Sequence, residues 1–281
     1  MVEMRHLDAV LPSTDLTLYG ETFSTPVMMA ALSHLKGKED NGMVEMAIAA
    51  RQRNAVMWAG MGSRDELARI TQTGARTIKI IKPYADNERV LRKIEHAEQC
   101  GALAVGMDVD HAFNGHGAYD LVLGDAMTPR TTEDIRAYVK ATKLPFIIKG
   151  VLGAHDALKC LEAGVSGIVV SHHHGIMPFA VPPLMVLPEI VDAVGGKMDI
   201  FVDCGVMTGM DVFKALALGA TAVSAGRVVM GPLAAEGPAG VVRVIDGITR
   251  ELAGAMARTA APNLAGIDAS VIWRDGKRIR P

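Results

Sequence analysis

Aromatic residues are scarce in this 281-residue chain, at 4%. That disfavours a β-sandwich, whose strands lean on aromatic cross-strand pairs. Cysteine is rarer still. Cys100, Cys160 and Cys204 are too few and too scattered for a disulfide framework, and none belongs to a C-x-x-C pair. An excess of one charge is also missing: Lys+Arg 29 against Asp+Glu 31 leaves a formal charge of −2. Nothing therefore drives counterion release, and nucleic acid is not an expected partner. No apolar run approaches the ~20 residues that span a bilayer, and the first residues lack a basic stretch followed by an apolar one. These absences predict a cytoplasmic protein with no membrane partner.

What is present is glycine, 29 residues, and hydrophobic residues at 49% against 21% charged, the balance of a packed globular chain. Short apolar runs recur at Val27–Ala30, Ala55–Trp58, Thr77–Ile81, Ala104–Met107, Phe146–Lys149, Gly167–Val170, Asp199–Val202 and Ala222–Ala225. They lack polar alternation, which fits parallel strands buried on both faces. Segments of helical period follow them, near Asp40–Asn54, Ser63–Thr73, Asn87–Cys100, Thr132–Thr142, Ala154–Ala163, Leu184–Val194, Thr208–Leu218 and Gly240–Ala257. Gly101, Gly164 and Gly219 stand where helix C-caps belong. Eight strand-then-helix units in ~230 residues predict a closed (β/α)8 TIM barrel. An open doubly wound sheet would more often carry a G-x-G-x-x-G turn after its first strand. No linker divides the chain, so residues 1–281 read as one domain. Its tail, about 268–281, carries a hairpin turning at Asp275-Gly276.

Active sites of this fold lie where strands run into the following loops. Strand four ends in Asp108-Val109-Asp110-His111, strand five in Lys149-Gly150, strand six in Ser171-His172-His173-His174-Gly175, strand seven in Asp203-Cys204-Gly205, and strand eight in Gly226-Arg227. Packing alone does not explain so many charged and imidazole groups at one rim. Gly205 and Gly226 let backbone approach a ligand closely, helix N-termini follow each, and Arg227 adds a cation, which together predict a phosphate site. Lys149, closing an apolar strand, is placed to stabilise negative charge on a bound ring or enolate.

Several of these stretches resemble one family. Pro145 to Val151, Gly164 to Gly175, Leu187 to Val191, Val202 to Val206 and Asp211 to Ala220, followed by Gly226-Arg227, are similar to the FMN-dependent α-hydroxy-acid oxidases and dehydrogenases. The likeness is strongest from about Leu144 to Leu233 and traceable from Pro26 to Asp110. It implies FMN as cofactor, a small-molecule substrate and a homo-oligomer, a tetramer or larger. Carried over by position, it implies that Lys149 sits by flavin N1 and O2. Ala30 and Ala31 would lie beneath the ring, with Gly60 and Met61 beside it. Ser171, Asp203, Gly205, Gly226 and Arg227 would complete the cofactor site. His173 matches the base that takes the substrate's proton, and Asp110 the carboxylate that orients it.

The departures concern the substrate. Where the family carries Ser-Asn-His-Gly-Gly-Arg, this chain has Ser171-His172-His173-His174-Gly175-Ile176. The arginine that grips the substrate carboxylate is gone, and Phe113 stands in place of a second one. Met207 replaces a phosphate-side arginine, Asp108 the strand-four threonine, Ile80 a glutamine and Lys82 a tyrosine. Lys82 is a point charge without the planar fork of arginine, and with His172 and His174 it is a candidate substrate contact. The expected activity is oxidation of a small hydroxy compound, other than a standard α-hydroxy acid, by hydride transfer to flavin. Three alternatives stay open: an FMN-dependent isomerase or reductase, a non-catalytic relative, and a metal site built from Asp108, Asp110, His111, His116 and His172 to His174.

Overall fold

The computed structural model describes residues 1–39 and 41–279. Its centre is eight parallel strands: β1 (Val27–Leu32), β2 (Met57–Ala59), β3 (Thr77–Ile81), β4 (Ala104–Asp108), β5 (Phe146–Val151), β6 (Gly167–Val170), β7 (Asp199–Val202) and β8 (Ala222–Ala225). Each pairs with its successor, and β8 returns to β1 through Val223 opposite Val27 and Ser224 opposite Met28. The sheet is thus a closed barrel, as the alternation of strands and helices predicts.

The missing polar alternation has a direct cause. Inward-facing Met28, Trp58, Ile78, Ile80, Ile147 and Phe201 fill the barrel, and the alternate residues pack outward against helices. Trp58 meets Phe201 edge to face, with ring centroids 5.2 Å apart. The few aromatics are spent where volume is most needed. A hairpin (Leu16–Leu18 with Glu21–Phe23) sends Leu16, Leu18 and Phe23 into this inner core. It lies ahead of the first run that apolar content marks as a barrel strand, and it is too short for periodicity to reveal.

The outer layer is α1 (Gly42–Gln52), α2 (Arg64–Gln72), α3 (Asn87–Gln99), α4 (Thr132–Lys140), α5 (Ala154–Glu162), α6 (Pro183–Val194), α7 (Gly209–Ala217), α8 (Arg227–Glu236) and α9 (Pro238–Arg258). The expected start of the first helix, Asp40, lies outside the described residues. Capping boxes at Thr131 with Asp134 and at Thr208 with Asp211 fix where α4 and α7 begin. After β8 the sequence pattern gives a range only to the last helix, although it expects a helix N-terminus to follow Gly226. In the structure α8 precedes it, carrying Pro232 internally, a residue that argues against a helix when read from sequence. At the tail, Trp273–Arg274 pairs with Lys277–Arg278 around Asp275 and Gly276, both at positive φ. Trp273 and Arg278 both donate hydrogen bonds to Glu3, so this hairpin covers the chain's own first residues. Of the tail expected over 268–281, residues 280 and 281 lie outside the described residues.

Strand five continues two residues beyond the expected Lys149. Gly150, at φ +99°, breaks the register against β6 between Val169 and Val170. A Cβ there would lie 2.7 Å from the Asp110 carboxyl carbon, so the glycine makes room for a site residue. Gly106 in β4 is equally confined, because its Cβ would meet the Ile147 carbonyl oxygen at 2.2 Å. Gly106→Ala is expected to cost about 1–3 kcal/mol of stability by overpacking, seen as a lower urea midpoint with an unchanged slope.

Candidate active site

The carboxyl ends of the strands meet at one mouth. There β4 delivers Asp108, and a single turn of 3₁₀ helix (Val109–His111) follows it. Residues three apart eclipse in such a turn, which brings His111 round to the same side as Asp108. Lys149 on β5 is 5% exposed. Its Nζ stands 3.4 Å from Asp108 Oδ1, 3.7 Å from Asp203 Oδ2 and 3.5 Å from Ser171 Oγ. Lys82, just past β3, donates to the other oxygen of Asp108 at 2.7 Å. Asp108 is therefore a buried carboxylate clamped by two ammonium groups.

His173 comes from the loop after β6, with φ at +44°; His174 and Cys204 are also left-handed, at +57° and +64°. Strained backbone of this kind costs on the order of 1–3 kcal/mol per residue and collects at functional sites. The backbone N–H of His173 donates to Ser171 Oγ at 3.1 Å. Its ring Nδ1 is 2.8 Å from Asp110 Oδ1 and 3.3 Å from Asp108 Oδ1. Nε2 faces His111 Nε2 at 3.2 Å, and His111 Nδ1 is 3.1 Å from Asp120 Oδ2. A chain Asp120–His111–His173–Asp110 results.

Burial works against a charged His173, but its hydrogen bonds to Asp108 and Asp110 outweigh that and raise its pKa to about 9. For Asp108, burial works against ionisation, yet the Lys149 charge and the His173 hydrogen bond hold the carboxyl well below the usual range. Asp110 shifts upward, through burial and despite its bond to His173; its Oδ2 is buried without a partner. Burial and the nearby Lys82 lower His111. Protonated His173 thus donates through Nδ1 to Asp110 and through Nε2 to neutral His111.

Beside this cluster is a cavity of about 250 Å³, walled by Ala30, Ala31, Lys149, His173, His174 and Asp203 and floored by Gly205, Gly226 and Arg227. α8 starts at its edge with Gly226 as cap and no side chain capping its first amides, leaving N–H groups for an anion. A second cavity of about 220 Å³, sharing Ala31, Leu32 and His173 with the first, reaches Gly60, Met61, Ile80, Lys82 and Asp108. The donor set fits a cofactor with a phosphate at one end and a ring that gains negative charge at the other. Arg227 and the α8 amides suit the phosphate, and Lys149 suits the ring.

Most of the rim residues expected from the sequence gather here. Ser171 is buried beneath Lys149, and Gly60 is buried with no room for a Cβ against Leu32 and Ser33. His174 lines the larger cavity, whereas the His172 ring turns to its own loop and accepts from the Gly175 N–H at 2.9 Å. Lys82 reaches the mouth already paired. His111 and Asp108 are the functional neighbours that sequence reading undervalued. The signal was their spacing on either side of Val109, at a strand end where a 3₁₀ turn is short enough to fold back. Asp108, Asp110, His111 and His173 also hold ligand atoms within 4.8 Å of one another. A dication there would have to displace Lys82 and Lys149 from Asp108, so the donor set suits a metal poorly.

A barrel with an anion cradle after its eighth strand, and an acid–histidine pair beside a buried lysine, has the arrangement of a flavin-dependent oxidoreductase. Comparison with known proteins narrows this. The family model for FMN-dependent dehydrogenases matches residues 2–133 and 122–274, and the chain belongs to this family of FMN-dependent α-hydroxy-acid oxidases and dehydrogenases. A peroxisomal (S)-2-hydroxy-acid oxidase of Oryza sativa subsp. japonica is 31% identical over 300 residues, covering 94% of this chain and 81% of that protein. The 4-hydroxymandelate oxidase of Amycolatopsis orientalis is 31% identical over 278 residues, 87% of this chain and 78% of its own length. A crystal structure of mandelate oxidase matches with a TM-score of 0.85 at 30% identity, covering 94% and 83% of the two chains. The protein is an FMN-dependent oxidoreductase, in a family whose members act on CH–OH groups. No helix among the described residues is long and apolar enough to cross a membrane.

The His173 environment has a measurable signature. In a ring-selective NMR titration, His173 is expected to lose its proton near pH 9 rather than at the ordinary 6.5. In Asp110→Asn the midpoint should fall by at least about one unit, since a charged acceptor of its N–H is lost.

Proposed function

We propose that the protein oxidises the CH–OH group of a small hydroxy compound to a carbonyl, with His173 as the proton acceptor. The observation that carries this reading is His173 itself, held at the barrel mouth by Asp110 on Nδ1, with Nε2 turned to His111. Bound FMN supplies the acceptor for the hydride that leaves the carbinol carbon. The protein's part is positioning and charge. Neutral His173 takes the hydroxyl proton on Nε2, and Asp110 stabilises the imidazolium that forms. To receive a hydroxyl there, the His111 ring must give way, because it occupies that hydrogen-bond direction. Lys149 offers fixed positive charge to the cofactor ring, supported by Ser171 and Asp203. Ala30, Ala31 and Gly60 line the ring's side of the cavity, while Gly205, Gly226 and Arg227 serve its phosphate end. His174, at the rim, is a candidate substrate contact; His172 and Lys82 are poorer ones, each already engaged.

The isomerase and reductase readings have less support, because the matching family model is that of dehydrogenases and the similar relatives are oxidases. We further propose a cytoplasmic homo-oligomer, a tetramer or larger. Three free cysteines fit a reducing compartment. Exposed Leu121, Leu123, Met177 and Phe179 on the loops after β4 and β6 are apolar surface that self-association would cover.

Two results are expected. Purified protein titrated with FMN should show the bound flavin band near ~450 nm, and light scattering should give at least four subunits. Anaerobic bleaching by a hydroxy compound should quicken as pH rises toward about 9, because only His173 without its extra proton accepts another. His173→Gln should slow that bleaching by at least ~10²-fold while FMN still binds. Bleaching that is indifferent to His173→Gln would sink the assignment of the base.

A further inference from the structure

Lys79 is a buried charge outside the site described above. It sits in the middle of β3 at 5% exposure. Its neighbours Ile78 and Ile80 belong to the inner core, so by strand alternation Lys79 faces outward, toward the helices. Among the described residues no carboxylate pairs with its ammonium, and its hydrogen bond runs to the Gly60 carbonyl oxygen. Burial and the nearby Lys93 pull the ammonium down to about 8, with Glu66 opposing. A charge at that depth is costly unless paired, and an unbranched apolar side chain would fill the space without the penalty. What the lysine holds is a wall of the cofactor site. Gly60 packs so tightly against the end of β1 that a Cβ would lie 2.5 Å from Ser33 Oγ and 2.7 Å from the Leu32 carbonyl oxygen. Its own N–H donates to that Leu32 oxygen at 3.0 Å. Gly60 and Met61 line the smaller cavity, and Lys79 stands behind them, outside the lining.

With its carbonyl drawn outward by Lys79, the Gly60–Met61 peptide has a fixed orientation. A trans peptide points its C=O and N–H in opposite directions, so the Met61 N–H turns toward the cavity. No backbone acceptor among the described residues takes it. We propose that Lys79 is a positioning residue for the flavin: by holding the Gly60 carbonyl, it aims the Met61 N–H at an acceptor on the edge of the bound FMN ring. The inference rests on FMN as the cofactor and not on the oxidation proposed above. The edge of a flavin ring carries carbonyl and imine acceptors, and an N–H fixed beside them needs no reorganisation when the ring takes up negative charge. Lys79 itself touches neither ring nor substrate. Lys149 offers charge from the mouth, whereas Lys79 sets an orientation from behind the wall.

Two measurements test this, neither of which needs turnover. Lys79→Met fills the same space without the charge. Its FMN dissociation constant, read from flavin fluorescence during titration, is expected to weaken at least about tenfold. The urea midpoint of the FMN-free variant should meanwhile stay unchanged or rise, because a costly buried charge is gone. A dissociation constant within about twofold of the parent overturns the proposal. A lower urea midpoint also overturns it, since Lys79 would then support the fold and not the cofactor. The second measurement follows amide hydrogen exchange at Met61 by NMR. In the parent, FMN loading should slow that exchange at least about tenfold. In FMN-loaded Lys79→Met the slowing should be lost at Met61 while amides elsewhere around the ring keep theirs. A Met61 amide indifferent to FMN in the parent overturns the proposal whether or not the variant folds, as does one still protected in the loaded variant.

Discussion

The mouth of this barrel is organised around one buried carboxylate. Asp108 sits 3% exposed, where an unpaired charge would be costly. Lys82 and Lys149 approach its two oxygens from β3 and β5, and His173 Nδ1 comes within 3.3 Å of Oδ1. Each of the four groups is tolerable at that depth only because of the others. Without Asp108 the two ammoniums would confront each other across the mouth, and His173 would lose one of the two acceptors that raise its pKa. Breaking such a buried pair by removing one partner is far more destabilising than its net worth suggests.

That arrangement depends in turn on closure of the sheet. Asp108 pairs in register with Lys149 across β4 and β5, which sets two oppositely charged side chains side by side at the ends of neighbouring strands. Gly150 then lets β5 bulge past Asp110, and the 3₁₀ turn after β4 returns His111 toward the loop that carries His173. The left-handed backbone at His173, His174 and Cys204 is the conformational cost of aiming that loop inward. A packed barrel beneath it, filled by Trp58, Phe201 and Ile80, is rigid enough to sustain the strain.

Much of this was legible in the residues. Strands buried on both faces announce themselves as unalternating apolar runs, so the eight barrel strands were found within a few residues. Lys149 stands out because a charge closes an apolar run, and Gly205 and Gly226 because they follow such runs. Other features left no such trace. The hairpin that seals the inner core is only three residues per strand, too short for a period. The start of α8 is expected after Gly226, but its extent is masked by Pro232. Lys82 reads as a free cation in the chain and is an ion pair in the fold, a difference that no local pattern encodes.

Composition and order alone determined the architecture and marked a candidate phosphate end at Gly205, Gly226 and Arg227, because hydrophobic period and strand-end chemistry are local properties; the pairing of His173 with Asp110 was implied only by the resemblance to the family. Tertiary structure decided which charges cancel. Lys82, Asp108, Asp110, Lys149, His173 and Asp203 come from five different strand ends, and Coulomb energy falls with distance in space rather than along the chain.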